Sequence, residues 1–100
     1  MNHEVGTRVG AILGATGKKV SFLGYGIYEG NFIPPKEVGG FNIGIENPRI
    51  KLDSGKVVWG CECWWSSEAT MKEQLEAYVK NGWEIVDTDI ELARKAPATT

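Results

Sequence analysis

The order of patterns along the chain predicts an α+β fold: a small, strongly bent antiparallel sheet of about five strands, with one C-terminal helix followed by a short strand. Three observations predict it. Apolar runs bounded by glycine and proline turn signals read as strands through most of residues 7–65, with a period of two clearest over 56–65. One stretch, 66–82, switches to a 3.6-residue period and has helix-type ends. Thirteen glycines in 100 residues supply the turns and close backbone approaches that short, curved strands need.

Thr7 to Ala15 reads as the first strand, and Thr16-Gly17-Lys18 supplies turn chemistry. Lys19 to Phe32 is a second, long strand. One of its faces carries Val20, Phe22, Gly24, Gly26, Tyr28 and Phe32, the other Leu23, Tyr25 and Ile27. With both faces apolar, the strand is expected to be central or bent. Gly24 and Gly26 share a face and predict a trough for Trp59 or Trp65. Pro34-Pro35 ends the strand, because neither residue can donate to a ladder. Lys36 to Glu46 has no clear period and reads as a loop, in which Phe41, Ile43 and Ile45 alternate.

Asn47-Pro48 restarts the ordered chain. Residues 49–52, a turn at Ser54-Gly55, and the run from Val57 form the clearest hairpin. The expected register sets Leu52 opposite Val57 and Ile50 opposite Trp59. Lys56 to Trp65 is the stretch the fold must accommodate, since it holds three of the four tryptophans and both cysteines. Read as one strand, it turns Val57, Trp59, Cys61, Cys63 and Trp65 inward. Lys56, Val58, Gly60, Glu62 and Trp64 make the opposite face. Ser66-Ser67-Glu68 starts a helix with a serine cap and an acid near the positive end of the dipole. Met71, Leu75, Tyr78 and Val79 form its apolar stripe, and Asn81-Gly82 ends it. Trp83 to Thr88 is a last strand. The short, bent, glycine-rich strands point to an SH3-like barrel or half-barrel. A single domain over residues 1–92, with a loose tail over 93–100, completes the expected organisation.

Composition excludes several classes of function. A net charge of −2 does not provide the basic footprint of nonspecific nucleic-acid binding. No apolar run approaches a membrane span, and the first residues lack the apolar core of a signal peptide, so the expected compartment is the cytoplasm. The only histidine is His3, which leaves Ser-His or Cys-His catalysis without a placed base. Gly24-Tyr25-Gly26-Ile27-Tyr28-Glu29-Gly30 misses the dinucleotide spacing, and no Gly-Lys-Ser/Thr follows the earlier glycines. Cys61 and Cys63, i and i+2 on a strand, are spaced by roughly 6.6 Å and poorly placed for a disulfide. They read as reduced, buried small hydrophobes, or as half of a zinc site shared by two subunits. No cofactor is expected.

One constellation remains. Arg49, Lys51, Glu62 and Trp64 fall on the outward hairpin face, with Arg8, Tyr25 and Tyr28 as further candidates. Arginine suits phosphate or carboxylate, the rings suit stacking, and Glu62 would orient a ligand's donors. The same residues also fit a solvated cross-strand ion pair, or an interface with a host protein or a second copy in a homo-oligomer. The runs Leu23 to Gly30, Asn47 to Gly55 and Val58 to Trp65 resemble short uncharacterised proteins of phage and bacterial genomes. That resemblance spans about residues 7–80 and implies no particular activity. By size and context it suggests a non-catalytic accessory protein, such as a counter-defence protein that sequesters an anionic or nucleotide-like small molecule between subunits. The alternative is a module that blocks or tethers a partner protein through the loop 36–46 and Trp64.

Overall fold

The computed structural model describes residues 4–39 and 44–95. Strands β1 (Arg8–Thr16) and β2 (Lys19–Phe32) form an antiparallel hairpin. Its two-residue loop has φ 58° at Gly17 and 65° at Lys18. Positive φ at both positions is the requirement of a type I′ turn, whose twist matches that of the strands. After one helical turn, α1 (Lys36–Gly39), the chain continues through β3 (Asn47–Leu52), β4 (Val57–Trp59), β5 (Trp64–Ser67), α2 (Glu68–Lys80), β6 (Glu84–Asp87) and α3 (Ile90–Lys95). The sheet order is β4-β3-β2-β1-β5, all antiparallel, and β6 joins the first part of β2 in parallel. One edge of β2 therefore serves two neighbours: β6 along Lys19–Phe22, then β3 from Gly26 onward. Gly24, at φ +133°, lies between the two segments, in a backbone region that favours glycine. Among the described residues the sheet is not closed, although only residues 60–63 separate its two outer strands, β4 and β5.

Each face of the sheet carries a core. On the inner face Val9, Ala11, Leu23, Tyr28, Ile50, Leu52 and Val58 pack together, and Ile90 of α3 closes the cluster. On the outer face Ile12, Val20 and Met71 are buried, with Phe22, Tyr25, Leu75, Tyr78, Trp83 and Ile85 around them. Helix α2 makes that second core. The Ser67 side chain accepts from the Thr70 amide at 3.3 Å, and Gly82 (φ +84°) turns the chain after Asn81. Gly10 lets the helix approach, because a Cβ there would stand 2.9 Å from Met71 Cβ.

The structure corrects the sequence reading at several points. Lys56 to Trp65 is not one strand. β4 stops at Trp59, and the Glu62 amide donates to the Trp59 carbonyl across a turn. Ser54-Gly55 is not a two-residue loop. Asp53, Ser54 and Gly55 all lie in it, with Gly55 at φ +94° and the Leu52 amide donating to Lys56 O at 2.8 Å. The pairing shifts by one residue, to Ile50 opposite Val58 and Arg49 opposite Trp59. Val58 thus takes the inward place expected of Trp59, although Trp59 is also buried. Gly26 makes no trough for a ring. It lets the β2 and β3 backbones meet at Leu52, while Trp65 stacks on Tyr28. Val79 is exposed and leaves the helix stripe at Tyr78. Residues 36–39 of the expected loop are helical; Phe41 and Ile43 lie outside the described residues, and Ile45 is exposed. Ala93 to Lys95, expected in the tail, belong to α3.

Ion pairs hold α3 in place. Lys56 Nζ donates to both oxygens of Asp89, at 2.9 and 2.8 Å. Arg94 grips Glu62 at 2.6 and 2.7 Å and donates to Val57 O at 3.0 Å. The Lys56 bonds, then the Glu91 amide, hold the Asp89 carboxyl below the usual carboxylate range. A carboxyl depressed in the folded state stabilises fully above its unfolded pKa of about 3.9 and loses that contribution as pH falls through the lower folded value. The α3 clamp is therefore expected to hold at neutral pH and loosen below about pH 4. The Ile90 methyl resonances, followed by NMR between neutral and acid pH, should report it. Asp89→Asn should remove most of that acid dependence.

Candidate functional site

The seven residues singled out from the sequence do not converge. Arg8, at the start of β1, is held by Asp53 at 2.6 and 2.9 Å and by Glu68 at 3.1 and 3.2 Å. It ties the β3–β4 turn to the first turn of α2, and these carboxylates raise its pKa above the ordinary arginine value. Arg49 donates to Glu29 at 3.0 Å and lies 3.8 Å over the Phe32 ring. Glu62 accepts from the Trp59 amide and from Arg94, so its carboxylate is occupied inside the protein. Tyr28 faces the inner core and donates to Asn31 at 2.6 Å. Tyr25 packs edge-on to Phe22 beneath α2; burial, then Glu68 and Glu76, push its hydroxyl pKa up. Lys51 is exposed on the outer side of β3, level with Ile27 and Val57. Trp64 lies on β5, with β2 and β1 between it and β3 in the sheet.

Trp64 does belong to a site, with other partners. It is 73% exposed, the most exposed of the large apolar side chains described. It borders a cleft of about 670 Å³ lined by Ile12, Ala15, Gln74, Ala77, Tyr78, Asn81 and Trp83. Three elements build this groove. β1 contributes Ile12, paired with Trp64 across the β1–β5 ladder. α2 and its C-cap contribute positions 74, 77, 78 and 81, spaced i, i+3, i+4 and i+7 along one helix stripe. Trp83, just after the helix, packs on Tyr78 with ring centroids 5.0 Å apart.

The groove wall mixes rings and methyl groups with the amides of Gln74 and Asn81 and carries no charged side chain. Its rings supply flat contact area, and Gln74 supplies a donor and an acceptor to an extended or ring-shaped ligand. Asn81 is partly engaged, since its side-chain amide donates to Ala77 O at 2.7 Å. Lys18 stands at the rim, 5.6 Å over the Trp83 ring and 3.4 Å from the Asn81 carbonyl. Sequence reasoning found Trp64 but missed Tyr78 and Trp83. The helical period places Tyr78 in the core stripe, and nothing local announces that Trp83 returns to meet it. A second, smaller hollow of about 450 Å³ lies over residues 60–65 and is lined by both cysteines.

Cys61 is an exposed thiol, contrary to its expected inward place, and Cys63 is partly buried and donates to Trp59 O at 3.3 Å. Burial, then Glu62, push the Cys63 thiol up to about 12. Cys61 is pushed up in the same direction, by burial and then Glu62. Among the described residues no three His, Cys, Asp or Glu side chains gather as a metal site, and no helix is long and apolar enough to cross a membrane. Since the thiolate is the reactive form, iodoacetamide at neutral pH should label native Cys61 slowly and Cys63 more slowly still. Both should label quickly once the chain is unfolded, as peptide mass mapping would show.

Compared with known proteins, the chain matches no family model, no curated protein and no solved structure.

Proposed function

We propose that the chain is a non-catalytic binding module that holds a segment of a partner protein in the groove of Trp64, Tyr78 and Trp83. The observation that carries this reading is the exposed Trp64 ring beside two further aromatic side chains in an uncharged cleft. Clustered aromatic side chains on an exposed concave surface are frequent anchors of protein recognition, Trp and Tyr above all. A small anionic or nucleotide ligand held between subunits has less support. Of the cations assigned to an anion, Arg8 and Arg49 are each engaged by a carboxylate of the same chain, which leaves the exposed Lys51 to meet a ligand without displacing one. The small size and the resemblance to short phage and bacterial proteins suit an accessory role of this kind. We read the sheet as an SH3-like half-barrel, because a four-residue link brings the chain from one outer strand to the other.

The test is selection of binders from a phage-displayed library of random dodecapeptides. Peptides selected on the wild-type protein should lose at least roughly tenfold in affinity for Trp64→Ala, the size of a modest hot spot. Undiminished binding to Trp64→Ala would rule the groove out.

A further inference from the structure

We infer that the partner segment binds as an added β-strand along the outer edge of Leu13–Thr16, in line with β5. This rests on the groove being the binding site and specifies how it is used. β2 accompanies β1 along its whole length, but β5 pairs only with Val9 to Ile12. Among the described residues nothing pairs with the β5 side of Leu13 to Thr16. That free edge opens into the groove, whose wall includes Ile12, Ala15 and, at the start of β5, Trp64. The hairpin fixes which groups are available there. Thr16 and Lys19 close a two-residue loop as a hydrogen-bonded pair, so Ala15 opposite Val20 is a non-hydrogen-bonded pair. The Ala15 N–H and C=O consequently turn away from β2, toward the open side.

Two further features suit an incoming strand. Open strand edges are normally protected by a charge or a proline, yet Ala11-Ile12-Leu13-Gly14-Ala15-Thr16 contains neither. A Cβ at Gly14 would meet nothing within 4 Å, so the face of β1 is open above that residue. The site is short, roughly 13 Å of extended chain, so main-chain bonds need help from side chains. Alternate residues of the added strand would rest on Tyr78, Trp83 and Trp64. Lys18, fixed at the hairpin end over Trp83, favours an acidic residue at that end of the ligand. The partner chemistry is thus an extended segment with apolar residues at every second position and an acid at one end.

The selected dodecapeptides should show that alternation. Amide hydrogen exchange of the wild-type protein should slow at Ala15 when a selected peptide is added. Ala15→Pro, which removes the outward donor and no β2 bond, should weaken binding by roughly tenfold. If Ala15→Pro does not fold, the exchange measurement decides alone. Peptides that lose affinity for Trp64→Ala but leave Ala15 exchange unchanged would overturn the strand while sparing the groove. Peptides indifferent to both substitutions would overturn both. A dimer at micromolar concentration with Ala15 already protected would show that the edge belongs to a second copy, and would also overturn the proposal.

Discussion

Gly26→Ala is expected to destabilise the protein by about 3 kcal/mol or more, a large share of what a domain of this size holds in reserve. Gly26 pairs with Leu52 at a close approach of the β2 and β3 backbones. A Cβ there would overlap the Lys51 carbonyl oxygen and stand 2.7 Å from Leu52 Cα, both backbone atoms. No rotamer change relieves a clash with backbone; the two central strands would have to separate. Gly14→Ala is the natural control, because its new Cβ enters open space, and it should stay within about 0.5 kcal/mol of wild type. Urea unfolding should show a lower midpoint for Gly26→Ala with little change in slope.

Ile50→Ala should have a comparable effect, about 3–4 kcal/mol. Ile50 is fully buried at the centre of the inner core, between Tyr28 on β2 and Val58 on β4. Rigid strands on both sides give the cavity little chance to collapse, so both the transfer and cavity contributions are felt. Ile50→Val, which removes one methylene, should cost about 1 kcal/mol. The same urea titrations measure both. A small loss for Ile50→Ala would mean that the inner cluster does not dominate the stability.

Much of this architecture is written locally. The β1–β2 hairpin follows from Thr16-Gly17-Lys18, the end of β2 from the prolines after Phe32, and the start of α2 from the Ser67 cap. Each is decided by residues within a few positions of the event. What escaped the sequence is decided at a distance. The alternation of Val57 to Trp65 looks like one strand, but Gly60 is drawn against Pro48. Glu62 is captured by Arg94, 32 residues further on. The β3–β4 register depends on whether the loop takes two residues or three, and Asp53-Ser54-Gly55 is compatible with both. The outward side chains of β3 and β5 do lie on the outer side, but α2 packs over β1, between those strands, and cations that look available in the sequence meet carboxylates from other elements. The groove requires α2 and Trp83 to return to the β1–β5 edge, which no pattern in 66–83 encodes.

The most direct measurement compares two substitutions on one selected dodecapeptide by fluorescence anisotropy. If the groove is the binding surface, Trp64→Ala should weaken binding at least roughly tenfold, while Arg49→Ala, outside the groove, should change it less than about twofold. Strong loss with Arg49→Ala and none with Trp64→Ala would return the site to the outer side of β3 and contradict this account.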